Sequence, residues 1–235
     1  LSYIALNINK EPFDNINLRK AIAYAINKEA VITAAYEGLA VKADFLLNPA
    51  CVEGAPSEGV CYNYDPEKAK EFLTKAGYPD GIDIGELLVY GSSYWGKFCE
   101  VIQQNLSDVG IKCELQPMDT SAVIQNMKKG DFGIGNGGMT CDRDAGYLAR
   151  FCHSRNVANS AVKYNDGYID ETLDKSDREL DSVTRKATIK EVNDYVMESA
   201  ALLPVFFKTT PYAWAKNLEG SFNLNYYYIY NFSWK

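Results

Sequence analysis

Across 235 residues, 47% hydrophobic and 23% charged side chains suffice to bury a sizeable core and exclude a disordered chain. A net charge of −7 is the reverse of the Lys/Arg-rich footprint of a nucleic-acid binder, so no nucleic-acid partner is expected. No stretch approaches the ~20 apolar residues of a membrane helix, and the best one, residues 200–207, is broken by Pro204.

Leu1 opens directly into a strand-like run over 2–9, so the sequence reads as a piece of a longer protein from which any export signal is already gone. Asn15 or Asn17 caps a first helix carrying Leu18, Ile22, Ala25 and Ile26, and Asn27 caps a second over 28–36. Residues 37–64, with Pro49 and Pro56, read as a long loop that needs tying down. Asp65 and Pro66 start a helix with Ala69, Phe72, Leu73 and Ala76 inward and Gly77 as its stop. A strand over 84–90 leads to a helix with Phe98, Val101, Ile102, Leu106 and Val109 on one face. Gly110 ends that helix, and a strand over 111–116 places Ile111, Cys113 and Leu115 on one side. Thr120 caps a short helix ended by Gly130, and a strand and loop occupy 131–138. Helices over 168–175 and 182–201 follow, then strands over 202–207 and 226–232. Alternation of this kind predicts an α/β architecture in one lobe.

Three features carry chemistry. Six cysteines fall into sequence-local couples, Cys51 with Cys61, Cys99 with Cys113 and Cys141 with Cys152. Local pairing into disulfides is the simplest arrangement and implies an oxidising, extracytoplasmic compartment; six buried thiols in a cytosolic protein is the competing reading. With one histidine, His153, and no CxxC pair, no metal site or cofactor is expected. Gly133, Gly135 and Gly138 satisfy GxGxxG, but no apolar-striped helix follows and Asp142 would face the phosphate, so a dinucleotide site is not expected. Tyr90, Tyr94 and Trp95 bracket a polar loop between a strand and a helix, where α/β folds place ligands; half-buried structural aromatics are the alternative. There is no GxSxG or HExxH, so the chain is expected not to be an enzyme.

An ordered set of stretches resembles family 5 of the bacterial extracellular solute-binding proteins. It runs from Tyr3-Ile4-Ala5-Leu6-Asn7 and Pro12-Phe13-Asp14-Asn15 through Leu18-Arg19-Lys20-Ala21-Ile22 to Tyr64-Asp65-Pro66-Glu67-Lys68-Ala69 with Ala76-Gly77-Tyr78-Pro79. Val109-Gly110-Ile111-Lys112, Gly130-Asp131-Phe132 and Leu203-Pro204-Val205 continue it. The resemblance implies a periplasmic-binding-protein-like lobe, a mixed sheet flanked by helices, with residues 1–235 as the C-terminal lobe of a two-lobed clamp. It implies a monomeric receptor in the periplasm or at the cell surface, with or without a lipid anchor ahead of residue 1. That receptor would capture a peptide or similar small solute and pass it to an ABC transporter permease. Gly138-Met139-Thr140-Cys141-Asp142 lines up with the family's Gly-Trp-x-x-Asp run, so Asp142 inherits the partner role for a peptide amino terminus, with Met139 in place of Trp; capping of a helix running towards Phe151 is the alternative role for Asp142. Ala145 replaces the usual Pro after Asp144. The loop over 90–97 lacks the arginine of dipeptide-dedicated members, and Lys208 falls where peptide-binding relatives put a side chain on the cleft. A secreted hydrolase with a carboxylate pair, or a peptide-sensing receptor without transport, are the other readings.

Overall fold

The computed structural model describes residues 1–49, 58–91, 93–141, 144–156, 164–209, 215–219 and 233–234. Strand β1 (Ser2–Leu6) is buried along its whole length because it lies inside the sheet, with neighbours on both sides. Helix α1 (Ile16–Ala25) is capped by Asn15, which accepts from the Asn17 amide at 3.0 Å. Helix α2 (Lys28–Tyr36) is capped by Asn27, which accepts from Ala30 at 3.0 Å. Asp65 does the same for α3 (Pro66–Lys75) through the Lys68 amide at 3.0 Å. Strands β3 (Ile82–Tyr90) and β4 (Ile111–Met118) pair in parallel, joined by α4 (Ser93–Asp108), whose Phe98, Ile102 and Leu106 are buried.

Helix α5 (Thr120–Lys129) begins one residue earlier than a Thr120 cap would allow: Asp119 is the N-cap, without a side-chain bond, and Thr120 is helical. It leads into β5 (Ile134–Gly138). The expected strand at 226–232 lies outside the described residues. A 3₁₀ turn (Ala145–Tyr147) precedes α6 (Leu148–Cys152), and α7 (Gly167–Arg178) and α8 (Ser182–Glu198) pack on one another before β6 (Leu202–Lys208). Strand β2 (Ala40–Lys42) lies within the predicted loop, and two short strands, β7 (Leu218–Glu219) and β8 (Ser233–Trp234), pair apart from the main sheet.

The six-stranded sheet runs β2-β6-β1-β5-β3-β4. β3 is parallel to β4 and β5, whereas β1 is antiparallel to β5 and β6, and β2 to β6. These directions bring the carboxyl ends of β3, β4, β5 and β6 to the same edge as the amino ends of β1 and β2. The chain goes outward from β3 to β4 and then returns past β3 to β5, and right-handed crossovers in opposite senses put α4 and α5 on opposite faces. Side chains bear this out, since a Cβ on Gly135 would meet Met127 of α5, while one on Gly138 would meet Trp95 of α4.

The glycines of the GxGxxG match are therefore strand and strand-edge residues overlain by side chains. A Cβ on Gly133 would strike the Phe13 ring, and one on Gly137 would lie 2.5 Å from Tyr3 Cζ. Close approach of rings to bare backbone explains these glycines without a phosphate.

The paired-cysteine expectation is corrected. Cys61, Cys99, Cys113 and Cys152 are thiols, so the Cys99–Cys113 and Cys141–Cys152 bridges are not formed; Cys51 lies outside the described residues, and Cys61 has no bridge to it. The loop that seemed to require a bridge is held by packing and hydrogen bonds. Ala43, Leu46 and Leu47 are buried in the core, and β2 pairs with β6. Lys28 Nζ donates to Ala43 O at 2.7 Å, Leu46 N donates to Asn193 Oδ1 at 3.2 Å, and Tyr62 Oη donates to Met197 O at 2.9 Å. Cys99 and Cys152 are fully buried in apolar surroundings, and desolvation pushes both thiols well above their ordinary range; the Cys113 thiol is pushed up to about 11.

Candidate ligand-binding cleft

At the shared edge of the strands lies a cleft of about 620 Å³. β3 supplies Tyr90, the first turns of α4 and α5 supply Trp95, Thr120 and Ile124, and β6 supplies Phe207 and Lys208. Gly138, Met139, Thr140 and Cys141 line it where the chain leaves β5. Asn48 joins from the long loop, its backbone N–H donating to Tyr147 Oη at 2.8 Å, while that hydroxyl donates to Leu46 O at 2.8 Å. A crevice at the carboxyl ends of parallel strands, between helices on opposite faces, is the switch point where open α/β sheets bind ligands.

An aromatic cluster floors the cleft. Tyr94 and Trp95 rings are 4.3 Å apart, and Trp95 lies 5.8 Å from Tyr90 and edge-on to Phe98 at 5.3 Å. Tyr36 of α2 packs on Tyr94 at 5.8 Å and on Phe206 at 5.6 Å, tying the floor to the core. Over this cluster sits Lys208, its ammonium 3.9 Å from the Tyr94 ring centre, 5.3 Å from Trp95 and 5.7 Å from Tyr36. A cation at these distances is held by the ring faces. Partial burial lowers the Lys208 pKa, and burial raises that of Tyr94, an effect Ser2 partly offsets. Tyr94 Oη and Ser2 Oγ nonetheless make no well-formed hydrogen bond.

Of the residues singled out in the sequence, Tyr90, Trp95, Met139 and Lys208 line the cleft together, and Tyr94 lies beneath Lys208 in its floor. Asp142 follows the cleft-lining Thr140 and Cys141 in the chain and lies outside the described residues. Sequence reasoning missed Tyr36, whose place over Tyr94 depends on the packing of α2 against α4.

His153 stands elsewhere. Its Nε2 faces Asp174 Oδ1 and its Nδ1 faces Asp170 Oδ1, each at 3.2 Å, while Ser154 Oγ donates to the Asp170 carboxylate. A nucleophile would give its proton to the imidazole. Here the Ser154 hydroxyl is spent on Asp170, Nδ1 accepts from the Arg155 N–H at 3.1 Å and Nε2 meets Asp174, which makes the group a clasp between the end of α6 and α7.

Residues 1–159 match the sequence profile of the bacterial extracellular solute-binding proteins, family 5 Middle. The chain belongs to that family. Its members are extracytoplasmic binding proteins rather than enzymes. Among curated relatives, the glutathione-binding protein GsiB of Salmonella paratyphi A is 28% identical over 229 residues, covering 93% of this chain and 44% of the relative. Heme-binding protein A of Haemophilus influenzae is 29% identical over 212 residues, covering 87% and 39%. The chain thus spans less than half the length of the curated relatives it matches. Among solved structures, HbpA2 from Haemophilus parasuis superposes with a TM-score of 0.89 at 23% identity, over 100% of this chain and 48% of that one, a likeness of fold. The periplasmic binding protein DppA from Helicobacter pylori, in complex with the peptide STSA, gives 0.79 at 25% identity over 88% and 41%.

Proposed function

We propose that this chain is the C-terminal lobe of an extracytoplasmic receptor that captures a peptide or similar small solute and presents it to the permease of an ABC importer. The observation that carries the reading is the convergence of Trp95, Met139 and Lys208, from three separate stretches, on one cleft at the carboxyl edge of the sheet. Relatives that bind glutathione, heme and a tetrapeptide supply the ligand class by family. In a two-lobed clamp a second lobe closing over this cleft would enclose the solute and exclude water.

In this reading Asp142 pairs with a ligand ammonium group. Support comes from its neighbours: Thr140 and Cys141 line the cleft, and the local capping job is already filled by Asp144. The Asp144 carboxylate accepts from Gly146 N at 2.7 Å, and its ion pair with Arg185 holds it below the usual carboxylate range. The test is calorimetry on the full-length protein with peptides bearing free or acetylated amino termini. Asp142→Asn should weaken the free-amine peptide by about 2–5 kcal/mol and leave the acetylated one unchanged. Equal binding of the free-amine peptide by variant and wild type would end the assignment. Native mass spectrometry of protein purified from its host, with no co-purifying solute and no binding of peptides, would end the broader reading.

A further inference from the structure

At the edge of the sheet opposite the cleft, where β1 ends and β6 begins, lies a second pocket of about 530 Å³. Ile8 and Ile16 form its apolar side, and Arg19, Tyr164, Asp166 and Glu198 its polar side. Arg19 is only 7% exposed. Its Nε donates to Ser199 O at 2.8 Å, and its Nη1 donates to Phe13 O at 2.7 Å and to Asp14 O at 2.9 Å. Neutral carbonyls thus hold a buried cation that forms no ion pair among the described residues. Nη2 carries the remaining donors, has no partner among the described residues, and is the edge of the guanidinium left to face the pocket. Burial lowers the Arg19 pKa, and Tyr164, Asp14 and Tyr62 offset only part of that effect. An unmatched charge at this depth is costly, and an anion on its free edge would relieve the cost.

The two acids of the pocket differ. Asp166 is already engaged, its Oδ1 accepting from the Tyr168 N–H at 2.9 Å and its Oδ2 from Tyr195 Oη at 2.8 Å. Glu198, in the last turn of α8, makes no hydrogen bond or ion pair among the described residues. A guanidinium edge and a free carboxylate on one pocket match opposite charges on one ligand, whereas a phosphate would meet Glu198 as a like charge.

We infer that this pocket is a second binding site, separate from the cleft, for a free α-amino acid with an apolar side chain. The ligand carboxylate accepts from Arg19 Nη2, its ammonium faces Glu198, and its side chain lies on Ile8 and Ile16. No covalent bond forms or breaks. The site does not depend on what the cleft captures.

The experiment uses the full-length protein and three probes: L-leucine, leucinamide, which lacks the carboxylate, and N-acetyl-L-leucine, which lacks the ammonium. Saturation-transfer NMR titrations read affinity into the millimolar range. Wild type should hold L-leucine about tenfold or more tightly than either analogue. Glu198 is exposed, so Glu198→Gln leaves the packing alone. It should bring L-leucine down to N-acetyl-L-leucine and keep the preference over leucinamide. Arg19→Met should instead bring L-leucine down to leucinamide; if circular dichroism shows that this variant does not fold, the Glu198→Gln result decides. Peptide binding by Glu198→Gln, read by calorimetry, should equal that of wild type, and a parallel loss would overturn the separateness of the two sites. Unchanged discrimination in Glu198→Gln overturns the site. Equal binding of the three probes by wild type overturns the amino-acid class, and no binding of L-leucine overturns the inference as a whole.

Discussion

Gly137 is the position where the physical account of β5 is most exposed to test. It sits directly opposite Tyr3 in the β1–β5 ladder, and the tyrosine ring lies across it, edge-on to Phe151 at 5.4 Å. A methyl at Gly137 would come within 2.5 Å of Tyr3 Cζ and 2.6 Å of Cε2 and Oη. Carbon atoms need about 3.5 Å, so ring or strand must move by roughly 1 Å in a core where β1 is buried on both faces. Overpacking of this kind costs about 1–3 kcal/mol, while replacing glycine in extended backbone returns at most about 1 kcal/mol through the unfolded chain. Gly137→Ala should therefore destabilise by about 1–2 kcal/mol. Tyr3→Val removes the ring and should itself cost about 3 kcal/mol by leaving a cavity. In the double variant the added methyl has room, so the two changes should couple by at least about 1 kcal/mol in the favourable sense. Urea unfolding of the four proteins measures this, with the m-value checked for constancy. Additivity within about 0.5 kcal/mol, or a Gly137→Ala protein as stable as wild type, would refute the argument that the ring dictates the glycine.

Burial holds Lys28 at about 8 against an ordinary 10.5, with Asp44 offsetting part of the desolvation. Between those values the unfolded chain binds more protons than the folded one, so this group makes stability rise with pH through that window. Relative to Lys28→Met, wild type should gain roughly 2 kcal/mol in urea unfolding between about pH 7.5 and about pH 9.5; a flat difference would show that the amine is not desolvated. The cysteines give a third outcome. In native protein Cys99, Cys113 and Cys152 should resist alkylation while half-buried Cys61 reacts, and guanidinium without reductant should make all four label. Failure of Cys99, Cys113 or Cys152 to label after unfolding would contradict the thiol state.

What was legible in the sequence was whatever local chemistry decides. Asn27 and Asp65 cap where their side-chain chemistry predicts, and α2 spans the expected 28–36. Strand β2 escaped notice because three residues at a sheet edge, with Val41 exposed, carry no alternation to read. A helix running towards Phe151 is expected from the sequence, but α6 is five residues long, too short for a periodic stripe to give its bounds. The long loop invited a disulfide because its anchors, Lys28, Tyr147 and Asn193, come from distant elements. In the cleft, Trp95, Met139 and Lys208 could be singled out by residue type and by family resemblance. Their meeting depends on the strand order, and the seat of Lys208 on three rings depends on Tyr36 from α2, which no spacing along the chain announces.

The aromatic floor also has a thermodynamic consequence for capture. Trp95 is wedged against Phe98, Tyr94 against Tyr36, and Tyr36 against Phe206, so the rings that would meet a solute are fixed before it arrives. Binding usually forfeits about 0.5–1.5 kcal/mol for each rotamer-rich side chain it immobilises, and locked rings forfeit little. The mobile partner on this floor is the lysine stem, and its rotamers are already narrowed by the three rings beneath it. Discrimination among solutes should accordingly appear mainly in how fast they leave, because the surface they leave has nothing to relax into.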